Sequence, residues 1–282
     1  MKNPKTIKIL LADGTPSGVK IAEIGGRVAK AILVPRNKIK EAASRDELKT
    51  VGLYFLIGKE IDSNIPDVYI GEAEQVYKRL LQHNKDEGKD FWNIALCFVS
   101  TNNSINKAHV KYLEGYCYDI AQKLNRCNVV NGTIPAKTQL PETDVADVMD
   151  FFGSIELLVA TLGYPIFDDI NIIDESEKIY YCKGPSAKAK GKYSDEGLVV
   201  YSDSITRRKL TKTAGTWVEG MVERLLADGV IEKEGEDSYK FVKNYIFNSP
   251  SAAAAVILAR RANGWKEWKD EEGNTLDKNE RQ

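Results

Sequence analysis

Two short apolar runs set close together constrain this chain most. V-G-L-Y-F-L-I at 51–57 is too short and too rich in branched and aromatic residues for a helix, and reads as a buried strand. Gly58, Asp62, Ser63, Asn64 and Pro66 mark a loop over 58–66. Asp67 to Ile70 is a second strand, so the two form a hairpin with a long turn. Gly71 ends that strand and a helix begins, with Ala73, Val76 and Leu80 on one apolar stripe. Ile94 to Val99 is a third strand. Val110, Leu113, Cys117, Ile120 and Leu124 then hold helical spacing. The region reads β-β-α-β-α.

Shorter elements flank this unit. Thr6–Leu11, Val19–Ile24 and Ala31–Val34 are strand-like pieces separated by Asp13-Gly14 and Gly25-Gly26, and Arg36–Leu48 reads as a polar helix or linker. Pro141–Leu162 is helical. Asp168, Asp169, Asp174, Glu175 and Glu177 form an acidic linker. Beyond it, Lys178–Lys183 and Leu198–Tyr201 are strands around a basic loop carrying Lys183, Lys188, Lys190 and Lys192. Helices over Trp217–Leu226 and Ala252–Ala262, with a strand-like Tyr239–Phe247 between them, complete a second α+β domain. Residues 270–282 are charged and expected to fray. The resulting division is a β-rich extension (1–48), a central domain (49–135), a helical connector (136–170) and a C-terminal domain (171–282), all of the α+β class.

With 282 residues the chain is long enough for two domains. A net charge of −1 gives no global attraction for nucleic acid, so any such binding must come from a local patch. Cys97, Cys117, Cys127 and Cys182 are scattered without a C-x-x-C pair, against a structural zinc site or a disulfide framework. No run approaches a membrane span, and the short I-L-L stretch near the start is not a signal-peptide core. The expectation is a cytoplasmic protein with no membrane partner and no nucleotide cofactor; oligomeric state is not legible.

Several polar residues of the central unit suit phosphodiester cleavage. That reaction needs a base for water, positive charge for the phosphate and usually a metal ion. Tyr54 and Tyr69 alternate within their strands, so their hydroxyls can meet at one edge of the sheet. A phenol is a poor base unless a neighbour assists it, and His83 is a candidate proton acceptor. Arg79 and His83 are four apart and share a helix face, where Arg79 can grip phosphate. Glu114 borders the apolar stripe, as a ligand of Mg²⁺ or Mn²⁺ can. Each of these residues alone is ordinary in a core or on a solvated helix. Their order and spacing together carry the reading.

Gly52-Leu53-Tyr54, Tyr69-Ile70-Gly71, Arg79, His83 and Glu114 resemble the motifs of the GIY-YIG nuclease superfamily over about residues 50–135. The resemblance implies a divalent-metal-dependent endonuclease acting on DNA. It implies Tyr54 as general base, Tyr69 near the nucleophile or phosphate, Arg79 on the phosphate, His83 as partner of Tyr54 and Glu114 on the metal. It also implies an asparagine at the site edge, Asn131 or alternatively Asn128. Many members carry lysine after the second glycine, whereas this chain has Glu72, for which Lys78 can compensate. The competing reading is a catalytically weak or inactive nuclease-fold module that binds nucleic acid or protein. A third is an interaction protein that meets no nucleic acid.

The stretch S-P-S-A-A-A-A with N-G-W further on resembles a small domain of unknown function that accompanies some bacterial nucleases of this type. Its Trp217, Trp265 and Trp268 with Lys183, Lys188, Arg207, Arg208, Lys209, Arg260, Arg261 and Lys266 can make a nucleic-acid surface. Equally, the tryptophans can be core and the cations solvated.

Overall fold

In the computed structural model, which describes residues 3–58, 65–170 and 178–282, the chain forms two compact units, Met1–Asp168 and Asp169–Gln282. Each is a mixed α+β unit with its own sheet and cores.

The first unit contains β1 (Ile7–Leu11), β2 (Lys20–Ile24), β3 (Ala29–Pro35), β4 (Gly52–Gly58), β5 (Asp67–Ala73), α1 (Val76–Lys85), β6 (Ile94–Ser100), α2 (Lys107–Leu124), β7 (Asn128–Val129) and α3 (Glu142–Thr161). Strand order is β1-β2-β3-β6-β4-β5-β7. The central run 49–135 is therefore continued rather than preceded by the N-terminal strands, because β3 pairs antiparallel with β6 from Ala29↔Ser100 to Pro35↔Ile94. α3 packs on β2, β3 and α2 and so belongs to the same core.

Alternation splits the sheet's side chains between two cores. Leu53, Phe55, Ile57, Val68, Ile70, Leu96 and Phe98 face α2 and α3. Tyr54, Leu56, Ala95, Cys97, Ile32 and Val34 face the other way, against Val76 and Leu80 of α1 and Trp92. Arg36–Leu48, read from sequence as a polar helix or linker, instead makes three short 3-10 turns. These turns bury Ile39, Ala42 and Leu48 in that second core. Its apolar residues are too few for a helical stripe but enough to anchor a wrapped segment.

β5 differs from expectation. The strand does not end at Gly71 but continues through Glu72 and Ala73, paired up to Gly52↔Ala73. The helix begins only at Val76. Ala73 is therefore a strand residue whose burial comes from the sheet. The turn region expected at 58–66 lies partly outside the described residues, at 59–64.

The second unit contains β8 (Tyr180–Gly184), β9 (Ala187–Ser194), β10 (Gly197–Val200), β11 (Ile205–Arg207), α4 (Thr216–Ala227), β12 (Ile231–Glu234), β13 (Ser238–Phe241), β14 (Tyr245–Phe247), α5 (Pro250–Leu258), α6 (Gly264–Glu267) and α7 (Leu276–Arg281). The basic loop read from sequence is a strand. In A-K-A-K-G-K-Y-S the small residues face the core and the lysines face out, and β9 pairs with β8, β10 and β11. Tyr239–Phe247 is two strands, β13 and β14.

The alanine-rich α5 is capped by Ser249, whose hydroxyl accepts from Ala252 N–H at 3.1 Å, with Pro250 at the first position. It ends at Leu258, four residues before the expected limit, where Ala259 turns left-handed. The C-terminal stretch is ordered rather than frayed. Leu276 is buried, Thr275 caps α7 and the Tyr180 hydroxyl donates to Glu280 at 2.5 Å. Most of the acidic linker, at 171–177, lies outside the described residues.

Phe98 lies on β6 between β3 and β4, fully buried and 5.2 Å from the Phe55 ring. Phe98→Ala is expected to destabilise the first unit by about 3–5 kcal/mol, measured by chemical denaturation.

Candidate functional site

The antiparallel register of β4 and β5 builds the site. Tyr54 stands opposite Gly71 and Leu56 opposite Tyr69. The two tyrosines are thus diagonal neighbours on one face. Their rings lie 6.3 Å apart and 25° from parallel. Gly71 permits this, since a Cβ there would fall within 3 Å of the Tyr54 and Tyr69 rings. A Cβ on Gly52 would press on the Phe98 carbonyl and the Val76 side chain. Both glycines of the paired motifs answer to close approach of their neighbours.

α1 brings Arg79 and His83 onto the same tyrosine. The Tyr54 hydroxyl lies 2.8 Å from His83 Nε2, and Arg79 Nε donates to it at 3.3 Å. His83 is buried, and its other nitrogen, Nδ1, lies 3.2 Å from Lys89 Nζ. Burial, helped by the Lys89 and Arg79 charges, lowers the His83 pKa to about 4, so the ring is neutral near pH 7. An ammonium only donates, so Nδ1 accepts and Nε2 carries the proton. His83 therefore donates to Tyr54 rather than accepting from it, the reverse of the sequence expectation. Lys89 also lies 3.7 Å from the Tyr69 ring centroid.

The Tyr54 phenol is held well above its ordinary pKa, chiefly by burial and then by the Tyr69 charge, while Arg79 opposes the rise. The two donors on its oxygen favour the phenolate. Its own O–H proton has no place in either of those contacts.

Glu114 reaches the site from α2. Tyr54, Tyr69, Glu72, Lys78, Arg79, Gln82, Lys107 and Glu114 line one cavity of about 540 Å³. Burial pushes the Glu114 carboxyl up to about 7, and the neighbouring Glu72 charge adds to the rise. The Glu72 backbone N–H, Lys107 and Lys111 work against it. Glu72 is itself ion-paired with Lys107 Nζ at 2.7 Å. Sequence does not single out Lys107 and Lys89. They sit on other elements, and a lone lysine carries no pattern.

Among the described residues no group of three or more His, Cys, Asp or Glu side chains is placed to cage an ion. The cavity offers one or two carboxylates, Glu114 and Glu72. That donor set fits a hard cation such as Mg²⁺, which keeps most of its waters. Asn131 lies elsewhere. Its Nδ2 donates to the Ile70 carbonyl at 2.7 Å and its Oδ1 accepts from the Ile70 N–H at 2.9 Å. With both amide groups engaged, Asn131 prolongs the pairing of β5 past the end of β7 and braces the motif. Asn128 instead donates to Asp67 at 2.8 Å.

The predicted cations of the second unit divide. Lys183, Lys188 and Lys266 line one cavity. Arg208 is engaged with the Glu236 carbonyl and the Tyr239 ring, and Arg207 sits on β11. Trp268 is 0% exposed, its Nε1 donating to the Pro250 carbonyl at 3.1 Å, and is a core residue. Trp265 is half-buried beneath Arg281, while Trp217 is 50% exposed.

Residues 180–280 match a domain of unknown function (DUF4357), which covers nearly all of the second unit. No curated protein and no solved structure matches the chain. Among the described residues no helix is long and apolar enough to cross a membrane.

Gly71→Ala is expected to cost about 1–3 kcal/mol through overpacking against Tyr54, seen as a lower denaturation midpoint. Glu114 has its pKa raised on folding, from 4.5 to about 7. The stability it contributes is present below 4.5 and is lost as pH rises through 7. Glu114→Gln should therefore raise the melting temperature at pH 8 more than at pH 4.5. An equal shift at both pH values would place Glu114 in solvent.

Proposed function

We propose that this chain is a metal-dependent DNA endonuclease whose first unit carries a GIY-YIG-like catalytic core. The observation that carries the proposal is convergence. Tyr54, Tyr69, Arg79 and Glu114, brought from β4, β5, α1 and α2, line a single cavity with His83 directly behind Tyr54. The element order β4-β5-α1-β6-α2 supports the same reading.

Each residue then has a task, and at Tyr54 the Arg79 and His83 donors work against the burial that favours the protonated phenol. Arg79 lines the cavity and binds a phosphate oxygen, while Lys78 adds positive charge at the rim. Tyr54 activates the attacking water. Once its proton has passed to solvent water in the cavity, the N–H groups of Arg79 and His83 hold the resulting phenolate, which then takes a proton from the attacking water. Tyr69 packs against Tyr54 and bounds the pocket. Glu114, with Glu72 beside it, would hold Mg²⁺ or Mn²⁺. When bound, the ion supplies charge against the phosphate and the leaving oxygen. Glu72 in place of a lysine does not leave an unbalanced charge, because Lys107 neutralises it. The second unit is proposed to engage the DNA.

Glu114→Ala and Arg79→Ala are each expected to reduce nicking of supercoiled plasmid in Mg²⁺ by about 10²–10³-fold or more, with the chain still folded in a cooperative melting transition. If both variants cut like wild type, the site assignment is wrong. If wild type retains DNA but never cuts it with Mg²⁺ or Mn²⁺, the fold serves as a binding module.

A further inference from the structure

The outward face of the β8–β9 hairpin carries a charge arrangement that folding alone disfavours. Lys183 and Lys188 stand directly opposite each other, and Tyr181 stands opposite Lys190. On its other side Tyr181 pairs through its backbone with Lys269. Like charges directly across a ladder are destabilising. Yet here lysines surround a single aromatic ring, with the Lys183 ammonium 5.7 Å from its centroid. Tyr181, Lys183, Lys188, Lys266 and Lys269 line a cavity of about 590 Å³.

Glu267, Asp270 and Glu271 share that lining, and each has a partner of its own. Glu267 pairs with Arg260 at 2.8 Å. Asp270 accepts from Asn274 and Asn279. Glu271 accepts from the Tyr181 hydroxyl at 3.0 Å, which fixes the ring in place. Among the described residues, Lys183, Lys188, Lys266 and Lys269 have no carboxylate partner. A cluster of ammonium groups without carboxylate partners, two on paired strands and two in and just after α6, calls for a ligand with several negative charges. A flat ring among them calls for a ligand with a free aromatic face.

We infer that this cavity binds a single-stranded segment of DNA, with phosphates on the lysines and an unstacked base on Tyr181. In a duplex the base faces are occupied by neighbouring bases, whereas a single strand offers both the phosphates and a free base face. This surface deepens the reading of the chain as a DNA-acting protein and rests on it.

The test is fluorescence anisotropy of the full-length chain with a labelled single-stranded oligonucleotide and the matching duplex, in EDTA so that no cutting occurs. Wild type should prefer the single strand. Lys188→Ala should weaken binding and lower the slope of log K against log salt by about 0.7 for each phosphate the variant no longer neutralises. Tyr181→Leu should weaken it by about 5- to 100-fold, and Tyr181→Phe far less. Lys188→Ala should also raise the melting temperature by relieving the facing Lys183, so weaker binding cannot be ascribed to unfolding. Equal affinity for duplex and single strand, or unchanged binding by Lys188→Ala and Tyr181→Leu, would overturn the inference. Plasmid nicking by these same variants separates the two readings. Nicking with wild-type single-strand binding in both variants sinks this surface and leaves the nuclease standing. Single-strand binding abolished in the variants, with no nicking by wild type, does the opposite.

Discussion

The pairing of Tyr54 with Gly71 across β4 and β5 is the constraint on which the first unit's site depends. A side chain at residue 71 would occupy the space the two tyrosine rings now fill. The register that sets Tyr54 opposite Gly71 also sets Leu56 opposite Tyr69, and so places both hydroxyls on the α1 side. A slip of one residue in β4 would send the Tyr54 ring to the α2 side, away from Tyr69, and bring Leu53 and Phe55 out of their core. That core includes Phe98, Val110, Leu113 and Leu158. The apolar packing on one face of the sheet therefore holds the polar geometry on the other. Asn131 adds to this by fastening Ile70, the middle residue of the second motif, with two hydrogen bonds.

Net charge says little about either surface. A chain at −1 concentrates Lys78, Arg79 and Lys107 around the first cavity and Lys183, Lys188, Lys266 and Lys269 around the second. Acidic groups are present at both, and some of them are committed to cationic partners. Glu72 is bound to Lys107 and Glu267 to Arg260. Potential near a surface follows such local commitments more than the total, because screening removes distant charges within about 10 Å at moderate salt.

Much of the central region was legible in sequence because its signals are short-range. The V-G-L-Y-F-L-I run, the Arg79–His83 spacing and the stripe from Val110 to Leu124 each depend only on local period, and β4, α1 and α2 carry them. What escaped depends on tertiary partners. Glu72 and Ala73 read as the start of a helix, but β4 extends far enough to pair with them. Lys190 and Lys192 read as a loop because charge obscured the alternation with Ala187, Ala189 and Gly191 that makes β9 a strand. Composition could not separate Trp268, sealed in the core, from Trp217, half exposed. The tautomer of His83 is fixed by Lys89, which lies beyond α1 and is joined to the site only by the fold.

The two cavities share one physical character with opposite signs. In the first, burial and Glu72 make the charged form of Glu114 unfavourable. In the second, Lys183 and Lys188 repel each other across the ladder. A sequence under selection for stability alone would place glutamine at the one and a glutamate or threonine at the other, since unlike or neutral cross-strand pairs are favoured over like ones. On electrostatic grounds a ligand of opposite charge would relieve each arrangement. Ligands that bind only the folded state stabilise it in proportion to the logarithm of their concentration over Kd. In the free protein both places stand out as sites where local charge works against folding.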